Sequence, residues 1–360
     1  MTPSRAIRRA LTIGALVSLT AWAGSAAWGG TATVARRAAQ PHRVFNSHGH
    51  YRFAVIGALV HPFYGPMPGA LKAAAKAFHI SPVPTFTTPQ TVDQVEQNSI
   101  VNGFLAQGYT GIAMQVDDPV AGNATISRIV SKGIPVVATG ACPNKPTKAA
   151  FCLATANSEL GFQAGVDMSK VLGGKGKVAL LVGQPADINT AIYTNAVKKA
   201  LKLSPGIDLV EVVSGMDSSQ TAQSNIASLM ASEASSLNGI IVLSGLSTSL
   251  VGQALQNAHN THIKVIGLNT FPATTLQLVK TGYIYGTMAQ NPYGQAYLAA
   301  YSLKLLDQGC TWKGPSFVDS GTFLVTKASL STASQKLARI TTSLAATWKT
   351  KYFNCPAGAH

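Results

Sequence analysis

Short apolar segments that alternate with longer amphipathic segments constrain this fold more than any other feature of the chain. Residues 53–60 form a continuous apolar run, which is typical of a parallel strand buried on both faces. The alternation predicts an α/β fold with a doubly wound parallel sheet. In the first half we expect strands at 53–60, 82–86, 111–116 and 134–138, and helices at 69–78, 87–104 and 119–132.

A second series of the same kind follows residue 150, so we expect two lobes joined by a hinge. The expected first lobe comprises residues 52–153 and 290–312, and the expected second lobe comprises 154–289 with a C-terminal tail at 313–353. In this series the pattern predicts strands at 151–154, 178–182, 209–213, 240–243 and 265–268, and helices at 158–172, 190–201, 219–235, 250–258 and 274–280.

Residues 288–295, Met-Ala-Gln-Asn-Pro-Tyr-Gly-Gln, lie between an apolar run at 283–287 and a helix-like segment at 296–306. Pro292 suits the first turn of that helix, because its missing N–H would have no helical partner there. Gln290 would then lie at the end of a strand, where two-lobed α/β proteins bind ligands.

This stretch resembles the "aQNPyxqG" signature of ribose-type periplasmic sugar-binding proteins. The likeness covers most of residues 52–306 and implies the type I periplasmic binding protein fold, whose two lobes close around a ligand. Further stretches resemble family motifs in the expected order: 53–64 the first strand and "NPF", 108–112 with Asp118-Pro119 "gvdGIi…Dp", 132–137 "aGIPVv", 172–178 "lggkGkv", and 265–269 "vvGfD".

The chain also departs from the family pattern at pocket positions. His61 stands where the family has Asn, Tyr193 lies near the place of a pocket Arg, and Asn269 replaces a pocket Asp. An Arg–Asp pair binds sugar hydroxyls through charge-assisted hydrogen bonds. Its loss predicts a neutral pocket and makes ribose itself a poor candidate.

The resemblance and the strand ends together indicate the ligand-binding side chains. Phe63 and Tyr64 would stack on a ligand or else pack in the core. Polar groups at strand ends would hold its hydroxyls, although Asp118, Asn157 and Asn189 are also placed to cap helices. The full expected set is His61, Phe63, Tyr64, Asp117, Asp118, Asn157, Asn189, Tyr193, Asn269 and Gln290.

The N-terminus has the layout of a secretory signal peptide. Arg5, Arg8 and Arg9 precede an apolar run at 10–23, which small residues follow at 24–27. We expect a signal peptide at 1–28, the alternative being a membrane anchor, and a disordered basic arm at 29–51. The mature protein would be periplasmic or secreted.

The net charge of +15 arises from a shortage of acids, since Asp and Glu number 13 and charged residues make up 11% of the chain. The Lys and Arg residues are scattered rather than clustered, which argues against a nucleic-acid partner. A protein that works in acid would gain from having few carboxylates to protonate.

Four cysteines are present, and an exported chain can oxidise them. Three pairings are allowed. Cys142 and Cys152 flank a short Pro/Lys-rich loop, so we pair them, which leaves Cys310 with Cys355. The absence of a CxxC motif argues against a zinc or redox site.

Catalytic motifs are missing from the sequence. The glycine-rich stretch at 173–177 lacks the spacing of a phosphate-binding loop, and no paired acids or nucleophile elbow stand out. We expect no cofactor, no metal and no enzymatic activity. A sugar-processing enzyme, which would turn over the bound compound, is the weaker alternative.

These features together predict a monomeric, exported solute-binding protein that delivers a small neutral, sugar-like ligand to an ABC permease. Two alternatives use the same fold: a ligand-sensing partner of a membrane receptor, and a binder of nucleosides or other non-sugar ligands.

Overall fold

A computed structural model describes residues 49–268 and 272–359 of the chain. Ten α-helices, two short 3₁₀ turns and fourteen strands lie in these residues. The strands are β1 Phe53–Ile56, β2 Thr85–Thr87, β3 Gly111–Met114, β4 Val136–Thr139, β5 Cys152–Ala154, β6 Lys175–Val182, β7 Gly206–Val213, β8 Gly239–Leu243, β9 Lys264–Leu268, β10 Gly286–Ala289, β11 Thr311–Trp312, β12 Phe317–Asp319, β13 Phe323–Thr326 and β14 Phe353–Asn354. The helices are α1 Met67–Ala77, α2 Gln94–Ala106, α3 Ala121–Ser131, α4 Asn157–Val171, α5 Ile188–Leu201, α6 Ser219–Glu233, α7 Gly245–Asn257, α8 Ala273–Thr281, α9 Pro292–Asp307 and α10 Ala333–Tyr352.

The strands form two six-stranded sheets, one in each lobe. The first sheet has the order β12-β5-β4-β3-β1-β2, and all its neighbouring strands are parallel. The second has the order β13-β10-β9-β8-β6-β7, in which only β13 runs antiparallel to its neighbour. The predicted pair of doubly wound parallel lobes is therefore confirmed.

The central strands are apolar because helices cover both faces of each sheet. Every residue of β1, β3 and β8 is buried. On one face of the second sheet, α4 and α5 pack so closely that a Cβ added at Gly165 would lie 2.7 Å from Ala200 Cβ. Small residues at this crossing let the two helices approach each other.

Some element boundaries differ from the predicted ones for local reasons. The helix expected from residue 87 begins at Gln94, because the Asp93 carboxylate caps it by accepting from the Val95 and Glu96 N–H groups at 2.7 and 3.1 Å. The helix expected at 250–258 begins five residues earlier, at Gly245.

The C-terminal tail belongs largely to the first lobe, which corrects the expected assignment of residues 313–353 to the second. Strand β12 pairs in parallel with β5 of the first sheet. The buried residues Trp348, Tyr352 and Phe353 belong to the core that contains β1 and α9. Within this tail, β13 alone joins the second sheet.

Both predicted disulfides are present. Cys142 pairs with Cys152 beside β5, and Cys310 pairs with Cys355, with Cα–Cα distances of 5.6 and 4.1 Å. The second bond ties the end of α9 to the segment that follows β14.

The predicted signal peptide and most of the predicted basic arm lie outside the described residues. Within the described ranges, no helix combines the length and apolar character needed to cross a bilayer.

Candidate ligand-binding site

A cavity of about 100 Å³ lies where the carboxyl ends of strands from both sheets face each other. This volume is enough for several water molecules or one small solute. The two lobes approach closely here, since an ideal Cβ at Gly245 of the second lobe would lie 3.6 Å from His61 Cε1 of the first. Side chains that line the cavity include His61, Phe63, Tyr64, Gln115, Thr155, Asn157, Gln184, Asp187, Asn189, Tyr193, Asp217, Ser244, Gln290 and Gln295.

The aromatic wall of the first lobe is built on the turn that follows β1. The Tyr64 hydroxyl donates to Gln115 Oε1 at 2.9 Å and accepts from the Ala58 N–H at 3.0 Å. Burial raises the pKa of Tyr64, so the phenol stays protonated. Phe63 packs edge-on against Tyr64 with ring centroids 5.1 Å apart. Tyr64 thus combines the two expected roles, because it belongs to the core and also lines the cavity.

His61 begins this turn and remains neutral. Its Nδ1 accepts from the Phe63 N–H at 3.1 Å. Burial lowers the His61 pKa more strongly than the negative charge of Asp217 raises it. A neutral imidazole here provides one further hydrogen-bonding group to the cavity.

A chain of hydrogen bonds links the segments that cross between the lobes, and Gln290 lies at its centre. Gln290 Nε2 donates to Tyr193 Oη at 3.2 Å and to Thr155 Oγ1 at 3.3 Å. The Tyr193 hydroxyl donates to Asn157 Oδ1 at 2.8 Å, and Asn157 Nδ2 donates to Asn189 Oδ1 at 2.7 Å. Asn157 therefore faces the cavity instead of capping α4, and Asn189 is bonded to it.

The third crossing segment, between β12 and β13, is tied to the same region. Asn291 Nδ2 donates to the Ser320 carbonyl at 2.9 Å, and Gln295 Nε2 donates to Ser320 Oγ at 3.0 Å. The side chains of the 288–295 stretch thus contact all three connections between the lobes.

Two carboxylates on the second lobe line the cavity, and both were missing from the predicted set. Asp187 caps α5 by accepting from the Asn189 N–H at 2.8 Å. Asp217 accepts from Ser244 Oγ at 2.7 Å and from the Gln184 N–H at 2.9 Å. Burial, together with the negative charge of Asp217, raises the pKa of Asp187 to about 6. Their positions just after β6 and β7 were the sequence signal that could have identified them.

The prediction of a neutral pocket is therefore wrong. Tyr193 does provide a neutral group near the family's Arg position, but Asp187 and Asp217 bring acidic groups to the cavity. Among the described residues that line it, none is Lys or Arg. Asn269 lies outside the described residues.

Asp117 and Asp118 lie apart from the cavity lining. Asp118 is exposed, and its Oδ1 accepts from the Val120 and Ala121 N–H groups at the start of α3, both at 2.7 Å, which is the capping alternative. Asp117 is buried and accepts from Gln97 Nε2 at 3.0 Å and from the Asp93 N–H at 3.2 Å.

Asp117 makes stability depend on pH. Burial, and to a lesser degree the charges of Asp187 and Asp93, raise its pKa from 3.8 to about 7. The folded state then binds the proton more tightly than the unfolded state, so the contribution of Asp117 to stability is fully present below about pH 4 and is lost as the pH rises through 7. We expect Asp117→Asn, which mimics the protonated acid, to be more stable than the wild type at pH 8 and to lose this advantage at pH 4. Urea unfolding at pH 4 and pH 8 measures the difference in the free energy of unfolding between the variant and the wild type. A difference that is the same at both pH values would contradict the raised pKa of Asp117.

Comparison with known proteins extends this description. Residues 54–309 match the family described as the periplasmic binding protein domain. An ABC transporter solute-binding protein from Burkholderia graminis, solved in complex with D-arabinose, is 26% identical over 78% of this chain and 96% of its own, with a TM-score of 0.72. A sugar-binding protein of a sugar ABC transporter from Bacillus halodurans is 24% identical over 78% and 98%, with a TM-score of 0.70. A carbohydrate transporter solute-binding protein from Agrobacterium radiobacter, also with D-arabinose, is 20% identical over 81% and 98%, with a TM-score of 0.71.

Proposed function

The chain belongs to the periplasmic binding protein family, and from this premise we propose that it is an exported protein that captures a small, sugar-like solute between its two lobes and delivers it to an ABC permease. Family and neighbours are substrate-binding proteins, so the chain is a binding protein and not an enzyme. The family implies a periplasmic location, and residues 1–28 would direct the export.

The observation that carries the proposal is the cavity between the lobes. Both lobes supply polar side chains to it, and the crossing segments supply Gln290 and Thr155. A solute held by both sides would favour the closed arrangement over an open one, because only the closed arrangement makes all the contacts. Closure changes which surfaces the lobes present together, and this is the difference that a permease would recognise.

The composition of the cavity fits a hydroxylated solute. Amide, hydroxyl and carboxylate groups from Gln115, Asn157, Asp187, Asp217 and Gln290 offer donors and acceptors. Phe63 adds an apolar face on which a sugar ring would pack. This mixture of a few polar groups with aromatic walls is typical of small-molecule sites.

A thermal-shift screen against sugars, polyols, nucleosides and small amides tests the proposal. A solute present at a hundredfold excess over its dissociation constant should stabilise the protein by about 2.7 kcal/mol. We expect a sugar or polyol to raise the melting temperature and to be recovered unchanged. A response to nucleosides alone would mean that the protein keeps the fold of sugar-binding proteins but binds a different class of ligand. A melting temperature that no compound changes would contradict solute capture and favour a different role.

A further inference from the structure

The described residues that line the cavity include carboxylates but no Lys or Arg. The carboxylates are those of Asp187 and Asp217. Residues 269–271, which follow the lining residue Leu268 in the sequence, are Asn, Thr and Phe and carry no positive charge. The ion pair found within the described ranges joins Lys170 to Asp167, on α4. The cavity is therefore acidic.

His61 does not supply the missing positive charge. It faces Asp217 across the cavity closely enough to sense its charge, yet burial dominates and lowers its pKa below the ordinary value. At neutral pH the imidazole is uncharged.

Two side chains of the wall offer unused hydrogen-bond acceptors. The Asp187 carboxylate accepts one backbone N–H, although a carboxylate offers about four acceptor sites. Gln295 is fully buried and lines the same cavity, and its Oε1 has no hydrogen-bond partner although its Nε2 donates to Ser320 Oγ. A buried carbonyl oxygen without a donor is unfavourable, so an N–H or O–H from a solute would satisfy it.

Aromatic rings complete the wall. Phe63, Tyr64 and Tyr193 all line the cavity. The faces of aromatic rings are electron-rich and attract cations, most strongly where water is excluded. A ring of this wall that turns its face to the cavity would favour a positively charged group there.

Building on the proposed solute-capture function, we propose that the solute carries a protonated primary amine, as amino sugars and amino polyols do, and that Asp187 and Asp217 select it over its neutral hydroxyl analogue. An ammonium group provides a compact charge and three donors, which matches the acceptors of the cavity. The hydroxyls of the solute would bond to the amides of Asn157 and Gln290. Carboxylates in a site sheltered from water are unfavourable without a counter-charge, so a cationic solute gains more from them than a neutral one.

The behaviour of Asp187 supports this view. Burial and the charge of Asp217 raise its pKa to about 6 in the cavity without a solute. An ammonium group beside both carboxylates would attract each of them and so offset the repulsion between them.

Matched pairs of solutes test the inference directly. Titration calorimetry at pH 7 would compare D-glucosamine with D-glucose, D-galactosamine with D-galactose, and 1-amino-1-deoxysorbitol with sorbitol. We expect the amine of at least one pair to bind at least tenfold more tightly than its hydroxyl partner. N-acetylated amines, which lose the charge but are larger by an acetyl group, should lose this preference, and the hydroxyl partners serve as the neutral controls of matched size.

Variants then assign the selection to the two carboxylates. In Asp187→Asn and Asp217→Asn the preference for the amine should fall below about threefold. Asp208→Asn is the matched control, because Asp208 is exposed at the opposite end of β7 and its loss changes the net charge equally. It should retain the full preference. Circular dichroism would verify that each variant is folded. If a variant does not fold, the comparison of amine and hydroxyl solutes on the wild-type protein still decides the inference.

The outcomes separate this inference from the proposed function. Equal or tighter binding of a neutral sugar would overturn the amine preference and leave solute capture supported. An amine preference that survives in both Asp variants would overturn the role of these carboxylates. Binding of neither member of any pair would overturn the inference, and the wider thermal-shift screen would then decide whether solute capture stands.

Discussion

Replacement of Trp348 by alanine is expected to destabilise the protein by about 3–5 kcal/mol. Trp348 is completely buried in the first-lobe core, where its ring contacts Phe151, Trp312 and Tyr352 at centroid distances of 5.9, 5.9 and 5.0 Å. Its Nε1 also donates to Ser302 Oγ at 2.9 Å. Removal of the ring would leave a large cavity between α9 and α10 and would loosen the C-terminal helix from the lobe.

Two further variants separate packing from hydrogen bonding. Trp348→Phe keeps most of the aromatic surface, and Ser302 Oγ still donates to the Leu298 carbonyl at 2.7 Å, so we expect a smaller loss of about 1–2 kcal/mol. Thr347→Ala changes an exposed neighbour on the same helix and should alter stability by less than about 0.5 kcal/mol. Urea unfolding measures all three. A Trp348→Ala protein as stable as the wild type would show that the tail does not contribute to the first-lobe core.

The order of strands and helices could be predicted because each buried strand is a continuous apolar run. The run at 53–60 contains β1, and the other runs in the first half locate β2, β3 and β4 to within a few residues. The disulfides were predicted from the short loop between Cys142 and Cys152, which favours this pairing among the three that are allowed. These signals depend on residues that are close together in the chain, and in natural proteins such local preferences agree with the native fold.

The path of the tail could not be predicted in the same way. Strand β12 has three residues, and its place beside β5 depends on a partner more than 160 positions away in the chain. Residues 317–319 carry no pattern that distinguishes the first sheet from the second. The aromatic cluster around Trp348 packs the tail against the first lobe and so favours this placement, but only the folded chain brings the cluster together.

The residues of the candidate site also divide into those that the local sequence predicts and those that only the folded chain brings together. Gln290 and Phe63 were predicted because they belong to sequence motifs that resemble those of the family. Asp187 and Asp217 were missed because the family's acidic position was sought at Asn269. Thirty residues separate the two carboxylates in the chain, and they meet because β6 and β7 are neighbours whose carboxyl ends share one edge of the sheet.

Replacement of Gln290 by alanine should weaken binding of the best compound of the sugar panel by about 10- to 100-fold, equivalent to about 1.4–2.7 kcal/mol. The variant removes a buried amide that lines the cavity and donates to Tyr193 and Thr155. A solute would lose this partner, and the Tyr193 and Thr155 hydroxyls would each lose one donor, although Gln295 Nε2 would still donate to Thr155 Oγ1 at 3.4 Å. Titration calorimetry measures the affinity, and thermal unfolding measures the accompanying loss of stability.

A double-mutant cycle with Tyr193→Phe shows whether Gln290 acts through the hydrogen-bonded chain or by direct contact. If Gln290 mainly positions Tyr193 and, through it, Asn157, its removal should cost clearly less affinity in the Tyr193→Phe background than in the wild type. If it contacts the solute itself, the two effects should add. Gln163→Ala removes the same amide from an exposed position on α4 and should bind as the wild type does. Unchanged affinity in Gln290→Ala would place the solute elsewhere, because Gln290 lines the cavity and also bonds to the crossing segment at Thr155.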